Sequence, residues 1–131
     1  MAGSKRKRDI RKNDLVTLDA SGDPDAERMP VALGATGRMT AMVEAWRPLS
    51  SDERRLEAAR EKSRRLREGE PPEFEAPTML RELLPSGALM TVTEAQSAPT
   101  IEGVGRPGMC LLLDVDTGRP YHVDRRHVTL A

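Results

Sequence analysis

Apolar and polar residues alternate over several short stretches of this chain, a pattern typical of half-buried β-strands. Three such stretches are residues 14–18, 38–46 and 88–94. Pro48 closes the second one, because proline cannot donate to a ladder of backbone hydrogen bonds. One side of each strand is expected to face a common core. The side chains expected there are Leu15 or Val16, Met39, Ala41, Val43, Met90 and Val92.

The C-terminal end of the chain has the clearest order of elements. Residues 109–115 form an apolar run, and residues 116–120 are rich in turn formers. A short strand over 121–123, a tight corner over 124–126 and a last strand over 127–130 follow. Together with the earlier stretches, this order predicts about five strands in a mainly β domain, rather than alternating βαβ units.

A different pattern begins at Ser50 and predicts one charged α-helix. Ser50 and Glu53 form a capping box, in which each residue can bond the backbone amide of the other. Helix-forming residues continue to Glu68, and Gly69 suits the left-handed residue that follows a helix. The helix has one apolar stripe, made of Leu56, Ala59 and Leu66. Such a stripe is too thin for a core helix, and no coiled-coil heptads are evident. We therefore expect a mostly solvated helix of about 17 residues that lies on the barrel or projects from it. Its stripe can serve a second contact with a partner or another copy, although such a face more often packs on its own domain.

Three further segments separate the helix from the C-terminal strands. Residues 70–77 contain paired prolines and predict an extended linker, in which Phe74 is the only large apolar residue. Residues 78–84 fit one helical face and favour a short helix, although a strand ending in a hairpin turn at residues 85–87 is the alternative. Residues 95–108 are rich in glycine and proline and predict a loop.

The order of the strands and the corner after Val123 resemble an SH3-like small β-barrel. The resemblance covers residues 14–46 and 88–130, with residues 47–87 as a helical and linker insertion into a single domain, residues 14–131. It implies a barrel that binds other molecules rather than one that catalyses a reaction. It brings no catalytic residues with it, because the same shape serves many unrelated functions.

Charge changes this picture, because it is unevenly distributed. The 131-residue chain carries 21 basic and 21 acidic residues and so has no net charge. Residues 1–13 have no apolar periodicity and predict a flexible, disordered arm that is strongly basic. Such a run can neutralise phosphates or contact an acidic protein surface, but without aromatic residues it is poorly suited to stacking on bases. The candidate binding residues of this arm are Lys5, Arg6, Lys7, Arg8, Arg11 and Lys12.

A second group of candidate binding residues lies near the predicted last hairpin and corner. In barrels of this shape that region often borders the contact surface. A tyrosine flanked by arginines can stack on a base or grip a loop of a partner. For the tyrosine, however, a place in the core or at a sheet edge is the favoured interpretation. The residues of this group are Arg119, Tyr121, Arg125 and Arg126.

No pattern of catalytic, metal-binding or cofactor-binding residues stands out. Cys110, His122 and His127 lack the paired close spacing of metal ligands, and the predicted hairpin would put His122 opposite Leu113. The glycine-rich stretch 103–108 has the spacing of a dinucleotide-binding loop, but a strand rather than a helix is expected to follow it. We expect no enzyme, no bound metal and no cofactor.

A single cysteine, no signal peptide and no long apolar segment predict a cytoplasmic protein, or one within a phage or other virion assembly. Secretion and membrane binding are not expected. The primary interpretation is a non-catalytic binding or assembly module whose basic arm contacts DNA, RNA or an acidic protein surface. A protein partner or a second copy is expected as a further contact. Two alternatives are a structural component of a large assembly such as a phage virion, and a small inhibitor or regulator of a host enzyme.

Overall fold

The structure is a computed structural model that describes residues 9–30 and 39–131. These residues form ten β-strands and one α-helix, with a single 3-10 turn at Arg125–His127. The elements in chain order are β1 (Leu15–Leu18), β2 (Arg28–Pro30), β3 (Met39–Pro48), α1 (Ser51–Arg67), β4 (Met79–Pro85), β5 (Leu89–Ser97), β6 (Thr100–Ile101), β7 (Val104–Gly105), β8 (Met109–Asp114), β9 (Pro120–Asp124) and β10 (Val128–Leu130).

Eight of the described strands belong to one antiparallel sheet that curls into a half-barrel. Its order is β10-β1-β5-β8-β9-β3-β2, and β4 pairs with β3 outside this path. β6 and β7 form a separate small hairpin. The prediction of a mainly β fold with one helix is therefore confirmed. The expected number of about five strands was too low, because β2, β6 and β7 are too short to show a period-two pattern and β4 does not alternate.

The core lies on the concave side of the sheet and follows the predicted period-two faces. Val16, Val43, Met90 and Val92 are all buried, as the alternation indicated. Of the two candidates in β1, Val16 faces the core and Leu15 is exposed. Met39, expected in the core, is also exposed. Fully buried side chains added by the C-terminal strands are Cys110, Leu112 and Val123.

Strand β4 corrects the favoured prediction of a short helix over residues 78–84. The segment runs antiparallel to β3 in an unbroken register from Met42↔Pro85 to Pro48↔Met79. Gly87, with φ +99°, then provides the turn into β5. Met79, Leu80, Leu83 and Leu84 fit a helix face locally, but β4 instead pairs along its whole length with residues 42–48 of β3. The partner strand, which the local pattern cannot show, decides the outcome.

The stretch predicted as a loop over residues 95–108 is also more regular than expected. β5 continues to Ser97, with breaks in its register to β8 after Val92 and again after Glu94. The β6–β7 hairpin then contributes Ile101 to a second cluster of buried side chains. That cluster consists of Trp46, Ile101 and Met109, with Met79 packed against it. The hairpin therefore covers part of the sheet that would otherwise expose a tryptophan.

The C-terminal order of strand, turn, strand, tight corner and strand is as predicted. The corner is the 3-10 turn, and the side chain of Asp124 accepts a hydrogen bond from the amide of Arg126. The register of the last hairpin was wrong, however, because His122 lies opposite Leu111 and not Leu113. The carboxylate of Asp114 accepts the amides of the next two turn residues and so moves the centre of the hairpin one residue towards the N-terminus.

The beginning of the described chain belongs to the folded body. Ile10 is buried in the main core, and the amide of Asn13 donates to the carbonyl of Val92 at 2.7 Å. The amide of Arg11 donates to the Asp14 carboxylate, which closes a turn into β1. Of the predicted arm over residues 1–13, the part from residue 9 onwards is therefore held against β5.

Candidate interaction surface on helix α1

The limits of α1 follow from its own sequence. The Ser50 hydroxyl accepts from the amide of Glu53 at 3.1 Å, and the Glu53 carboxylate accepts from the amide of Ser50 at 3.3 Å. Gly69, with φ +73°, lies just after the last turn, where a left-handed residue ends a helix. The predicted capping box and length of 17 residues are confirmed. At 1.5 Å per residue the helix is about 25 Å long.

One side of α1 is occupied by the chain that returns from its end. This return segment, residues 70–77, is fixed by arginine side chains of the helix. Arg54 donates to the carbonyl of Ala76 at 3.3 Å, and Arg65 donates to that of Glu73 at 2.7 Å. The Arg65 guanidinium also lies over the ring of Phe74, at 5.1 Å from its centroid. Phe74, the one large apolar residue of the predicted linker, is therefore half-buried against the helix.

Ion pairs dominate this inner side. Glu61 accepts hydrogen bonds from both Arg64 and Arg65, at 2.6 to 3.2 Å, and these bonds lower the pKa of the Glu61 carboxyl to about 2. Arg64 also pairs with Glu68 and with Glu70 in the return segment. The helix thus meets its own protein mainly through charged groups.

A chain of four side chains connects the base of α1 to the sheet. Arg47 of β3 donates to Glu53 at 2.6 Å and to Glu82 of β4 at 2.9 Å. Glu82 in turn accepts from the hydroxyl of Tyr121 at 2.8 Å. Burial raises the pKa of the Glu82 carboxyl, but the bonds from Arg47 and Tyr121 outweigh it and the pKa is lowered overall. Burial and the neighbouring carboxylate raise the pKa of Tyr121.

The opposite side of α1 points to solvent and is apolar along its centre. No residue of the helix is buried, and Leu56 and Leu66 are 53% and 64% exposed. With Ala59 and Ser63 they form the outward face, in which successive residues are three, four and three positions apart. Such spacing keeps all four on one line along a helix. The two small residues leave a shallow depression beside Leu66, bordered by Arg60 and Arg67.

Basic side chains border the outward face on both sides. These flanking cations are Arg55, Arg60, Lys62 and Arg67. Among the described residues, the only ion pair they make is between Arg55 and Asp52, at 3.7 Å and almost fully exposed. An ion pair of that kind contributes little. The helix has seven basic and four acidic residues, and the acids Glu53 and Glu61 are engaged elsewhere. The outward face is therefore an apolar line inside a positive surface.

Sequence reasoning identified the apolar stripe but missed this arrangement. The signal is a short heptad register, which the sequence analysis did not find. With Leu56 and Ser63 at a, and Ala59 and Leu66 at d, every e and g position from residue 55 to 67 is basic. The register covers fewer than two heptads and has small residues at two of its four core positions. The heptad register can be recognised only once the outward orientation of these four residues is known.

The predicted binding residues of the basic arm are only partly described. Lys5, Arg6, Lys7 and Arg8 lie outside the described residues. Arg11 and Lys12 are exposed in the turn before β1.

The second predicted group is brought together only in part, since Arg119 lies close enough to Tyr121 to counteract part of the rise that burial causes in the pKa of its hydroxyl. Tyr121 is only 3% exposed, and its ring belongs to the main core. Arg119 precedes β9 while Arg125 and Arg126 follow it, so the five residues of the strand separate them by roughly 17 Å. Arg125 donates to the carbonyl of Val128, and Arg126 lies within 3.6 Å of the Asp124 carboxylate. Tyr121 fixes the sheet and has Arg119 beside its hydroxyl, whereas Arg125 and Arg126 lie at the other end of β9.

The remaining nucleophilic and titratable side chains take part in contacts within the fold. Ser97 Oγ and His122 Nδ1 lie 3.0 Å apart, and burial lowers the pKa of the His122 imidazole. Cys110 is fully buried in β8, which raises the pKa of its thiol. Over residues 9–30 and 39–131, no three His, Cys, Asp or Glu side chains are grouped so that they could hold a metal ion. Within the same ranges, no helix has the length and apolar character needed to cross a bilayer.

No protein-family model matches this chain, and neither a curated protein nor a solved structure is significantly similar to it.

Proposed function

We propose that this protein is a non-catalytic binding module that docks on an acidic protein surface through the outward face of α1. One observation carries the proposal: the helix turns its ion pairs towards its own chain and its leucines towards solvent. Helices of globular proteins usually do the reverse, because apolar side chains are more stable away from water. A helix with the opposite orientation gains stability when another surface covers it.

The charge around the outward face favours an acidic partner. Within residues 9–30 and 39–131, Arg60, Lys62 and Arg67 make no ion pair and Arg55 makes only the exposed one with Asp52, so an acidic surface can form new ion pairs at little cost. The basic residues Lys5, Arg6, Lys7, Arg8, Arg11 and Lys12 would add long-range attraction to the same kind of partner, most strongly at low salt. Two exposed leucines favour protein over nucleic acid, since a phosphate backbone offers them no apolar contact.

The size of the surface indicates a transient contact. Completing the burial of a half-exposed leucine contributes on the order of 1 kcal/mol, and each exposed ion pair contributes about 0.2–1 kcal/mol. Two leucines and a few ion pairs therefore give a weak complex unless other parts of the chain add contacts. We infer that the protein acts as an adaptor or assembly component rather than as a tight inhibitor.

For the body that carries α1 we propose an SH3-like small barrel. The support is the order of the last three strands, with a 3-10 turn between β9 and β10, and the antiparallel pairing of β10 with β1. In this arrangement the C-terminal strand meets the first strand of the sheet, as in a small barrel that seals itself. A barrel of this kind would hold α1 in a fixed direction through the side chains from Glu53 to Tyr121.

The test is a quantitative pull-down of partners from the native cell, with and without nuclease treatment. It compares the unchanged protein with the double variant Leu56→Ser/Leu66→Ser as the bait. The matched control is Val115→Ser, which changes an apolar side chain of similar exposure in the turn after β8. We expect the double variant to lose a defined set of nuclease-resistant partners that the control retains. Equal capture by both variants would contradict a role of α1. Partners that vanish with nuclease would show a nucleic-acid contact instead.

A further inference from the structure

We propose that the occupant of the outward face is a single acidic α-helix of a partner protein, which pairs with α1 as a short two-stranded coiled coil. This inference rests on the proposed function and specifies the shape of the partner. It follows from three properties of α1: the spacing of its apolar line, the size of its central residues and the position of its charges.

The spacing favours a helical partner over a strand or a loop. Leu56, Ala59, Ser63 and Leu66 recur in the three-four-three order that brings two helices into contact along a common seam. An extended peptide presents its side chains every second residue and would meet only part of such a line. The seam spans eleven residues, from Leu56 to Leu66, or about 15 Å, which corresponds to about three turns of a partner helix.

The small central residues allow a close approach. Ala59 and Ser63 lie between the leucines and form a shallow depression with parts of Arg60 and Arg67. A large apolar side chain of the partner can enter this space, while the two leucines pack beside it. Small residues facing large ones are the usual way in which opposed helices fill the space between them.

The charges select the partner's sequence. In the heptad register of α1, Arg60 and Arg67 occupy the e positions and Arg55 and Lys62 the g positions. Residues at e and g contact the same positions of a partner helix and decide which helices pair. Acidic residues there form ion pairs with α1, whereas a second copy of α1 would place like charges together. The partner helix is therefore of a different sequence, apolar at a and d and acidic at e and g.

The groups packed on the other side of α1 leave this seam free. The b, c and f positions hold Glu57, Ala58, Glu61, Arg64 and Arg65, of which the last three make the ion pairs of the inner side and Arg65 also binds the return segment. A partner on the a, d, e and g positions does not compete with these contacts. Docking would leave the connection between α1 and the sheet unchanged.

The experiment measures binding of synthetic three-heptad peptides to the full-length protein by fluorescence anisotropy. The acidic peptide has leucine at a and d and glutamate at e and g. The first control has lysine at e and g, and the second is the acidic peptide with proline at two central positions. We expect the acidic peptide to bind at least tenfold more tightly than either control, and the preference to weaken at high salt. Equal binding of the acidic and lysine peptides would contradict the charge assignment.

Charge reversal in the protein tests the same contact from the other side. Arg55→Glu/Arg60→Glu/Lys62→Glu/Arg67→Glu should prefer the lysine peptide by about tenfold, while the control Arg28→Glu, on exposed β2, should leave the preference as it is. Circular dichroism verifies that each variant is folded. An unchanged preference in the fourfold variant would overturn the inference.

The outcomes separate this inference from the proposed function. If the proline-containing peptide binds as well as the acidic one, the partner need not be helical, and only the docking of an acidic surface remains. If no peptide binds but Leu56→Ser/Leu66→Ser still loses partners from the cell, the helical occupant is wrong and the α1 surface stands. If neither peptides nor cellular partners depend on α1, both proposals fall. A DNA duplex that competes through the same arginines would assign the surface to nucleic acid.

Discussion

The sheet and helix α1 place apolar and charged side chains in opposite ways. In the sheet, leucine, valine and methionine side chains fill the core, and ion pairs such as Arg81–Glu44 lie at partly exposed positions. In α1, the ion pairs lie against the chain and the leucines face solvent. The sheet is therefore arranged for its own stability, whereas α1 is arranged for something outside the molecule. We therefore expect substitutions in the core of the sheet to lower the free energy of unfolding much more than substitutions on the outward face of α1.

The largest effect is expected in the core of the sheet. Leu112 is fully buried in β8, and Leu112→Ala should lower the free energy of unfolding by about 2–5 kcal/mol, because it removes buried methyl groups and leaves a cavity. Urea denaturation measures this change. A loss below about 1 kcal/mol, in the range of a surface substitution, would mean that β8 does not contribute to one cooperative core.

A smaller effect is expected where α1 joins the sheet. Arg47→Met removes the guanidinium that binds Glu53 and Glu82, and should cost about 1–3 kcal/mol, because two carboxylates lose a charged partner. Amide hydrogen exchange should also become faster at the first turn of α1. The control Arg55→Met removes an exposed arginine of the helix and should change neither quantity. Equal effects of the two variants would show that the connection does not hold the helix.

The pH dependence tests a buried group of the sheet. Burial lowers the pKa of His122 below its unfolded value of 6.5, so the unfolded chain binds a proton more readily than the folded one. The contribution of this group to stability is therefore complete above pH 6.5 and is lost as the pH falls through the lowered pKa. Between pH 7.5 and 5.0, the midpoint temperature of thermal unfolding should decrease less steeply for His122→Gln than for the unchanged protein. If the midpoint temperatures of the two proteins decreased in parallel, this pH dependence could not be assigned to His122.

The smallest effect on stability is expected on the outward face. Leu66→Ala should change the free energy of unfolding by no more than about 0.5 kcal/mol, because the side chain is 64% exposed and contributes little to packing. Urea denaturation of Leu66→Ala and Leu112→Ala under the same conditions measures the difference in free energy of unfolding directly. A cost near that of the core variant would mean that Leu66 is covered by its own protein.

Features set by local sequence could be predicted, and those set by a distant partner could not. The limits of α1 follow from Ser50, Glu53 and Gly69, which lie next to the backbone groups that they satisfy. The core faces of β3 and β5 follow from alternation within each strand. The conformation of β4 depends on pairing with β3, and each pair joins residues more than thirty positions apart, so the local pattern favoured the wrong state.

The candidate site shows the same division. The stripe of Leu56, Ala59 and Leu66 was visible in the sequence, but its direction depends on the return segment, which occupies the other side of the helix. The position of the Tyr121 side chain likewise depends on Glu82, a residue of another strand. The sequence favoured a place in the core or at a sheet edge for this tyrosine, and its ring does lie in the core, but the local pattern could not show that its hydroxyl binds Glu82.

The most direct test of the account is the chemical accessibility of the outward face. Cys110 is the only cysteine and is fully buried, so the unchanged protein should react slowly with a thiol reagent and gives a low background. Leu56→Cys and Leu66→Cys should react at nearly the rate of an unfolded peptide, and the acidic three-heptad peptide should slow both. Slow labelling of both cysteines in the protein alone would show that α1 packs its leucines on its own chain, and would contradict the account.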